Sequence, residues 1–505
     1  MMIKTFVVKA ENLRAAANAC ASRSRHGLLA MFACDERIST GSYAIYCLFD
    51  GRKPDGLVTV KGLVPAEGPL EFPSLTPVIP AAAWYEREIF DMFGIKPTDH
   101  PELRPLVLHE NWPSGLHPLR KDFDPAREVP EADKPFPMLH AHGEGVFEVP
   151  VGPIHAGIIE PGHFRFSQAG ETILRLDAKL FFTHRGIEKA VEGLTPDEAF
   201  PMVERICGVC SVSHALSFSQ ALEGLTGTSI PERAKWIRVL TAELERLYNH
   251  VGDIGNLSAG MGFQVAVSNG ARLKESLLRL NEAVTGNRYL RGMVVPGGVA
   301  MDVTGKLCRE IGAALERFEP DFASLVGLMR ENDAFLNRVD TTGIVPFAAA
   351  RDLGVVGPAA RASGVDWDMR RDKPYGGYGE LDFAVPVRHS GDVAARLWVR
   401  VDEVPQTVRL IRQALERLGA AGPELAAAVP PAPAWGAGAG WSESARGANL
   451  HWLMMDDDNR IWRYFVRSAS YPNWPALTVA APGNIIPDFP LINKSFELCY
   501  ACLDR

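Results

Sequence analysis

Two Cys-x-x-Cys pairs constrain this chain more than any other feature. CGVC occupies positions 207–210 within ERICGVCSVSHALSF, and CYAC occupies 499–502, followed only by Leu503, Asp504 and Arg505. Taken alone, Cys207 and Cys210 have three readings. They could be a thioredoxin-like dithiol, since the helix-like run SVSHALSFSQALEGL follows and its N-terminus would lower a thiol pKa. They could be half of a structural zinc site, although the pairs of such sites usually lie ~15–20 residues apart. They could simply be buried. The second pair leaves too little chain for a following helix, which removes the thioredoxin context there. If the four thiols form one site, the tail is pinned into the core. Soft thiolates select iron, nickel or zinc over magnesium or calcium.

The other four cysteines, Cys20, Cys34, Cys47 and Cys308, are scattered and read as small buried apolar residues. Eight cysteines in 505 residues are too few for a disulfide scaffold. The formal net charge of -8 argues against a general nucleic-acid binder. No apolar run approaches the ~20 residues of a spanning helix. The N-terminus, MMIKTFVVKAENLRAA, turns polar too soon for a secretory signal. The expectation is a cytoplasmic protein, able to attach peripherally to the membrane through membrane-embedded partners.

The fold class expected is α+β. Residues 1–123 form a small N-terminal α/β domain, with strands in GSYAIYCLFD and GLVTVKGLV and a helix in AAAWYEREIFDMFGI that stops at Gly94. The Pro- and His-rich run DHPELRPLVLHENWPSGLHPLRKDF reads as irregular, and 124–147 as a linker over the surface. Residues 148–505 form a mainly helical-bundle domain with β segments near its start and end. Its helix PERAKWIRVLTAELERLYNHV opens with Pro231 and puts Ile237, Leu240, Leu244 and Leu247 on one face, with charges opposite. ARLKESLLRLNEAV repeats the pattern, and GDVAARLWVRVDEVPQTVRLIRQALERL reads as a helix interrupted before Pro405. AAGPELAAAVPPAPAWGAGAGW reads as a loop, and the tail from 441 as strand and loop.

At this point the chain resembles a family. R-x-C-G-x-C-x-x-x-H, here Arg205, Cys207, Gly208, Cys210 and His214, is similar to the first cysteine motif of [NiFe]-hydrogenase large subunits, and the terminal C-x-x-C to the second. HRGIEKAVEG (184–193) resembles the R-G-x-E segment of that family, GPIHAGIIEPGHFRF (152–166) its E-G-H segment with Pro161 inserted, and ESARG (443–447) its A-P-R-G segment. WYEREIFDMFGIKPTDHPELRPLVLHENWPSGLHPLRKDF resembles the peripheral complex I protein that adjoins the catalytic one, here fused to the large-subunit domain. That fusion is the arrangement of the energy-converting group, of formate hydrogenlyase and hydrogenase-4 type.

The resemblance implies a Ni–Fe(CN)2(CO) centre. Cys207 and Cys499 would be terminal nickel ligands, and Cys210 and Cys502 would bridge nickel to iron. Glu160 would be the first proton relay, where the alternative is a surface glutamate on a turn. Arg446 would lie over the metals and donate to a cyanide; the alternative is an ordinary ion-paired arginine. His214 would donate a hydrogen bond to a thiolate from outside the ligand set, or be a satisfied core histidine. The reaction implied is reversible reduction of protons to H2. Its partners would be a small complex I-like iron–sulfur subunit, ferredoxin-like electron-transfer subunits, integral-membrane ion-pumping subunits and maturation proteins. No iron–sulfur cluster is expected in this chain.

The tail departs from the family in two places. Glu497 and Leu498 stand where many members have Asp-Pro, and Arg505 stands where many have a histidine that helps bind magnesium with the R-G-x-E glutamate. A permanent cation at that position would pair with Glu188, so a Glu188–Arg505 salt bridge in place of magnesium is the expectation. Two rival functions remain open: a complex I-like NADH:quinone oxidoreductase subunit, and a hydrogenase-like scaffold that binds zinc or nothing.

Overall fold

The computed structural model describes residues 2–51, 56–155 and 159–505. The first four strands, β1 (Met2–Lys9), β2 (Leu28–Glu36), β3 (Ser42–Asp50) and β4 (Gly56–Pro65), form a sheet of order β1-β4-β3-β2. β1 runs parallel to β4 and the other pairs are antiparallel. Helix α1 (Leu13–Ala21) packs on β4, and α2 (Ala83–Phe93) on β2. α2 stops at Gly94 as expected: its φ is +68°, and its N–H bonds back to Phe90 O at 2.9 Å. The run 99–123 has no helix or strand. Part of its backbone is held from α2, where the Asp91 carboxylate accepts the N–H groups of Leu106, Val107 and Leu108.

β5 (Val146–Val151), β6 (His163–Ala169) and β7 (Thr172–Lys179) make an antiparallel meander. The helical layer follows: α3 (Ser211–Thr226), α4 (Glu232–Leu257), α5 (Gln264–Thr285), α6 (Gly305–Arg330) and α7 (Val393–Ala420). A second antiparallel sheet comprises β8 (Ala437–Ser444), β9 (Gly447–Met455) and β10 (Ile461–Arg467). The chain closes with α8 (Ser470–Ala480), α9 (Phe489–Phe496) and α10 (Tyr500–Asp504). Buried apolar side chains of the N-terminal sheet and of the helical layer form one contiguous core. Phe32 of β2, for example, stacks on Phe465 of β10 at 4.3 Å.

Several expectations are corrected. α7 runs unbroken through Pro405. Proline forfeits one helical hydrogen bond and costs about 3 kcal/mol, but the buried Val401, Val404, Val408 and Ile411 anchor both sides of it. The tail beyond 467 is helical. Its prolines hid this, yet Pro490 lies in the first turn of α9, where no N–H is needed, and only Pro475 lies inside a helix. A one-turn helix, α10, does follow Cys499. The polar face of α4 is buried rather than solvated: Arg238, Glu243, Glu245, Arg246, Asn249 and His250 lie inside with the apolar stripe. Cys34 and Cys47 are fully buried, whereas Cys20 and Cys308 are partly exposed. Among the described residues, no helix is long and apolar enough to cross a membrane.

Candidate metal centre

The two cysteine pairs meet. Cys207 Sγ lies 3.6 Å from Cys499 Sγ, and the sulfurs of Cys207, Cys499 and Cys502 all fall within 4.8 Å of one another. Ligands of a single ion with metal–sulfur bonds of about 2.3 Å sit at comparable separations. Cys210 completes the group, packed with Cys207 and Cys502 but outside that closest set. Each pair occupies the start of a helix. Cys210 is the N-cap of α3, and Cys499 is the N-cap of α10, with its sulfur accepting the Cys502 N–H at 3.3 Å.

Three of the sulfurs accept an N–H, and the fourth faces a histidine ring nitrogen. Val209 N reaches Cys207 at 3.4 Å and Cys502 N reaches Cys499. Arg446 Nη1 reaches Cys210 at 3.5 Å, and His214 Nε2 lies 3.7 Å from Cys502. Hydrogen bonds from the other three thiols hold Cys207 well below the usual thiol range. Donating to Cys207 pushes Cys210, Cys499 and Cys502 up in turn. Four adjacent thiols cannot all ionise against one another; a multivalent cation among them removes that restriction. Four converging sulfurs, three with an N–H donor and one against a histidine nitrogen, fit a thiolate-bound metal group.

Arg446 sits in the two-residue loop between β8 and β9, which pair through Ser444 and Gly447. The loop passes so close to Gly357 that a Cβ on either glycine would strike backbone. The guanidinium is buried and donates to Glu497 O, Asn249 Oδ1 at 3.2 Å and Cys210, with Asp253 at 3.8 Å. Burial works against its charge, but Asp253 and the cysteine sulfurs outweigh that. Glu160 lies in an irregular segment. Among the described residues no hydrogen bond or ion pair ties it to a cysteine, although its charge acts on Tyr500 and Asp504 beside the second pair. Gly162 brings this segment against the tail, for a Cβ there would sit 2.6 Å from the Tyr500 ring.

Similarity searches agree with this arrangement. Residues 6–129 match the respiratory-chain NADH dehydrogenase 30 Kd subunit family, and 260–434 with 427–505 the 49 Kd subunit family. Residues 185–260, which hold the first cysteine pair, match the nickel-dependent hydrogenase family. Formate hydrogenlyase subunit 5 of Escherichia coli (strain K12) is 35% identical over 95% of this chain and 84% of its own length. Hydrogenase-4 component G of the same organism is 34% identical over 94% and 83%. The fused C/D protein of the NADH-quinone oxidoreductase of Acidiphilium cryptum is 29% identical over 87% and 81%. The chain belongs to the family of [NiFe]-hydrogenase large subunits of formate hydrogenlyase and hydrogenase-4 type.

In this hydrogenase-family chain the tail is locked by charge. Arg505 donates to Glu188 Oε1 at 2.8 Å, the pairing expected from sequence, and also to Glu88 Oε2 at 2.7 Å. Arg463 takes the second Glu188 oxygen at 2.8 Å. Burial opposes the Arg505 charge, and the two carboxylates overcome it. Asp504 accepts from Phe181 N, Thr183 N and Thr183 Oγ1, and Arg185 N donates to Arg505 O.

Sequence reasoning missed Glu88, which reaches the tail from the N-terminal part, and it missed the brace on the first pair. Glu245 accepts from Val212 N and Ser213 N, and thereby caps α3 directly after Cys210. Burial pushes its carboxyl up to about 7. Tyr248 Oη and Asn249 Nδ2 both donate to Val209 O, at 2.9 and 2.8 Å. These three residues recur at i, i+3 and i+4 on α4, a spacing that could have exposed them as one polar face.

Proposed function

We propose that this chain is the catalytic large subunit of a membrane-associated, energy-converting [NiFe]-hydrogenase complex, which interconverts protons and electrons with H2. The observation that supports this best is the meeting of the two cysteine pairs in one buried cluster. The 3.6 Å separation of Cys207 and Cys499 suits two ligands of one ion, here nickel. Cys210 and Cys502 would each be shared with iron, and these are the two sulfurs that side chains, Arg446 and His214, approach. A Ni–Fe(CN)2(CO) group supplies the redox chemistry of H2 when bound.

The chain's own residues set the surroundings. Arg446, fixed by Glu497 O and Asn249, presents planar donors beside the cysteines and stays charged when buried. Glu160, on the segment packed against Tyr500, passes protons between the sulfurs and the surface. Both oxygens of Glu188 are engaged by arginines, which leaves no carboxylate oxygen free for magnesium, so Arg505 serves in its place. Electrons come from a small complex I-like iron–sulfur subunit, itself fed by ferredoxin-like subunits. Integral-membrane partners hold the complex at the cytoplasmic face, and maturation proteins load the metals.

The test is H2 production by the purified complex with an artificial electron donor. Cys210→Ser should abolish it, a larger loss than the about 10–100-fold that follows removal of an outer partner. Glu160→Gln should slow it while metal content stays normal. Full activity in Cys210→Ser would refute the ligand assignment, and full activity in Glu160→Gln would refute the relay.

A further inference from the structure

We infer that Tyr464 and His451 are positioning residues that fix His214 as its Nε2–H tautomer and aim that N–H at the Cys502 sulfur. The four groups form an unbranched chain through the core. Tyr464 Oη lies 2.9 Å from His451 Nδ1, His451 Nε2 lies 3.0 Å from His214 Nδ1, and His214 Nε2 lies 3.7 Å from Cys502 Sγ. All three polar side chains are fully buried. β-Sheet register creates the first link. His451 of β9 pairs with Val466 and Tyr464 of β10 pairs with Leu453, so the two are diagonal neighbours on one face. The second link crosses from this sheet to α3.

The direction of the chain follows from counting protons. Among the described residues, Tyr464 Oη has one hydrogen-bond partner, His451 Nδ1. Burial and the nearby Glu188 charge keep the phenol protonated. Its proton therefore goes to His451 Nδ1. A neutral imidazole carries one N–H and one bare nitrogen, so His451 must be protonated on Nε2 and donate to His214 Nδ1. His214 must then carry its own proton on Nε2, facing Cys502. The reverse order, with the thiol donating, would leave the phenol proton without an acceptor in the core.

The consequence rests on reading Cys502 as a metal ligand. A fixed N–H on its sulfur draws electron density from the bond to the metal and disfavours protonation of that sulfur. Cys210 receives the same treatment from Arg446, so the two sulfurs assigned as shared are the two restrained by side chains.

The tautomers are readable without any metal. The full-length chain, labelled with 15N-histidine and metal-free, is examined by nitrogen NMR, with signals assigned through His214→Gln and His451→Gln. Wild type should show both rings neutral and protonated on Nε2 alone. The isosteric Tyr464→Phe removes the donor that sets the direction, so both rings should become mixtures of tautomers. A wild-type His214 protonated on Nδ1 would overturn the inference, as would Tyr464→Phe with unchanged single tautomers. Protein lacking nickel and iron would refute the proposed function and leave this result standing.

Discussion

Arg505 brings a permanent cation into the core at the end of the tail. Its guanidinium is 2% exposed and lies between two buried carboxylates, Glu188 and Glu88, with the Tyr471 ring 5.2 Å away. Removing one partner of a buried ion pair leaves the other charge uncompensated, which costs about 3–5 kcal/mol. Arg505→Ala should therefore lower stability to urea by about that amount, and Arg505→Lys should rescue it only in part, because an ammonium lacks the fork that spans both carboxylates. Stability within about 1 kcal/mol of wild type, a threshold at the scale of an ordinary surface change, would show that the cluster does not hold the tail. The Glu188 half of this arrangement was legible because the resemblance aligned both positions. Glu88 was not, since nothing in WYEREIFDMFG marks which of its acids points away from its own helix.

At the scale of elements, periodicity conveyed the strands and long helices, while proline and glycine misled. GAGAGW was read as loop, but Gly438 and Gly440 belong to β8, where a Cβ would strike the α3 backbone at Ala221 O and Ser217 O respectively. These glycines bring β8 onto the helix that starts at Cys210. Gly440→Ala overpacks that contact and should destabilise the chain by about 1–3 kcal/mol in urea unfolding. An unchanged midpoint would mean that the strand yields freely. The polar brace of α4 escaped notice for a related reason. Charged residues opposite an apolar stripe ordinarily meet water, whereas here the cysteine loop, α7, β8 and the segment around Arg370 pack against that face. Glu403, on α7, pairs with His250 of α4 and with Arg361, while Glu243 holds Arg246 and Arg370. Such networks depend on long-range contacts that no local window contains.

At the scale of the whole molecule, the N-terminal part is built into the rest. β2 is an edge strand, and its carbonyls at Leu29, Ala33 and Asp35 accept from Arg467, Arg463 and Trp462 of β10 at 3.0–3.1 Å. That covers an edge otherwise open to pairing with another chain. β10 also carries Tyr464, which leads to Cys502 through two histidines, and Arg463, which holds Glu188. The sheet that receives the N-terminal part is thus the sheet that supports the cysteine cluster and the tail. The convergence of the two cysteine pairs was legible through the family resemblance, because a separation of nearly 290 residues carries no local signal of contact. What the four cysteines bind is decided by metal analysis and infrared spectroscopy of the purified protein. Nickel and iron are expected in equal amounts, with infrared bands of metal-bound CO and cyanide that vanish in Cys210→Ser. Zinc alone, or no metal and no such bands in fully matured protein, would contradict that expectation.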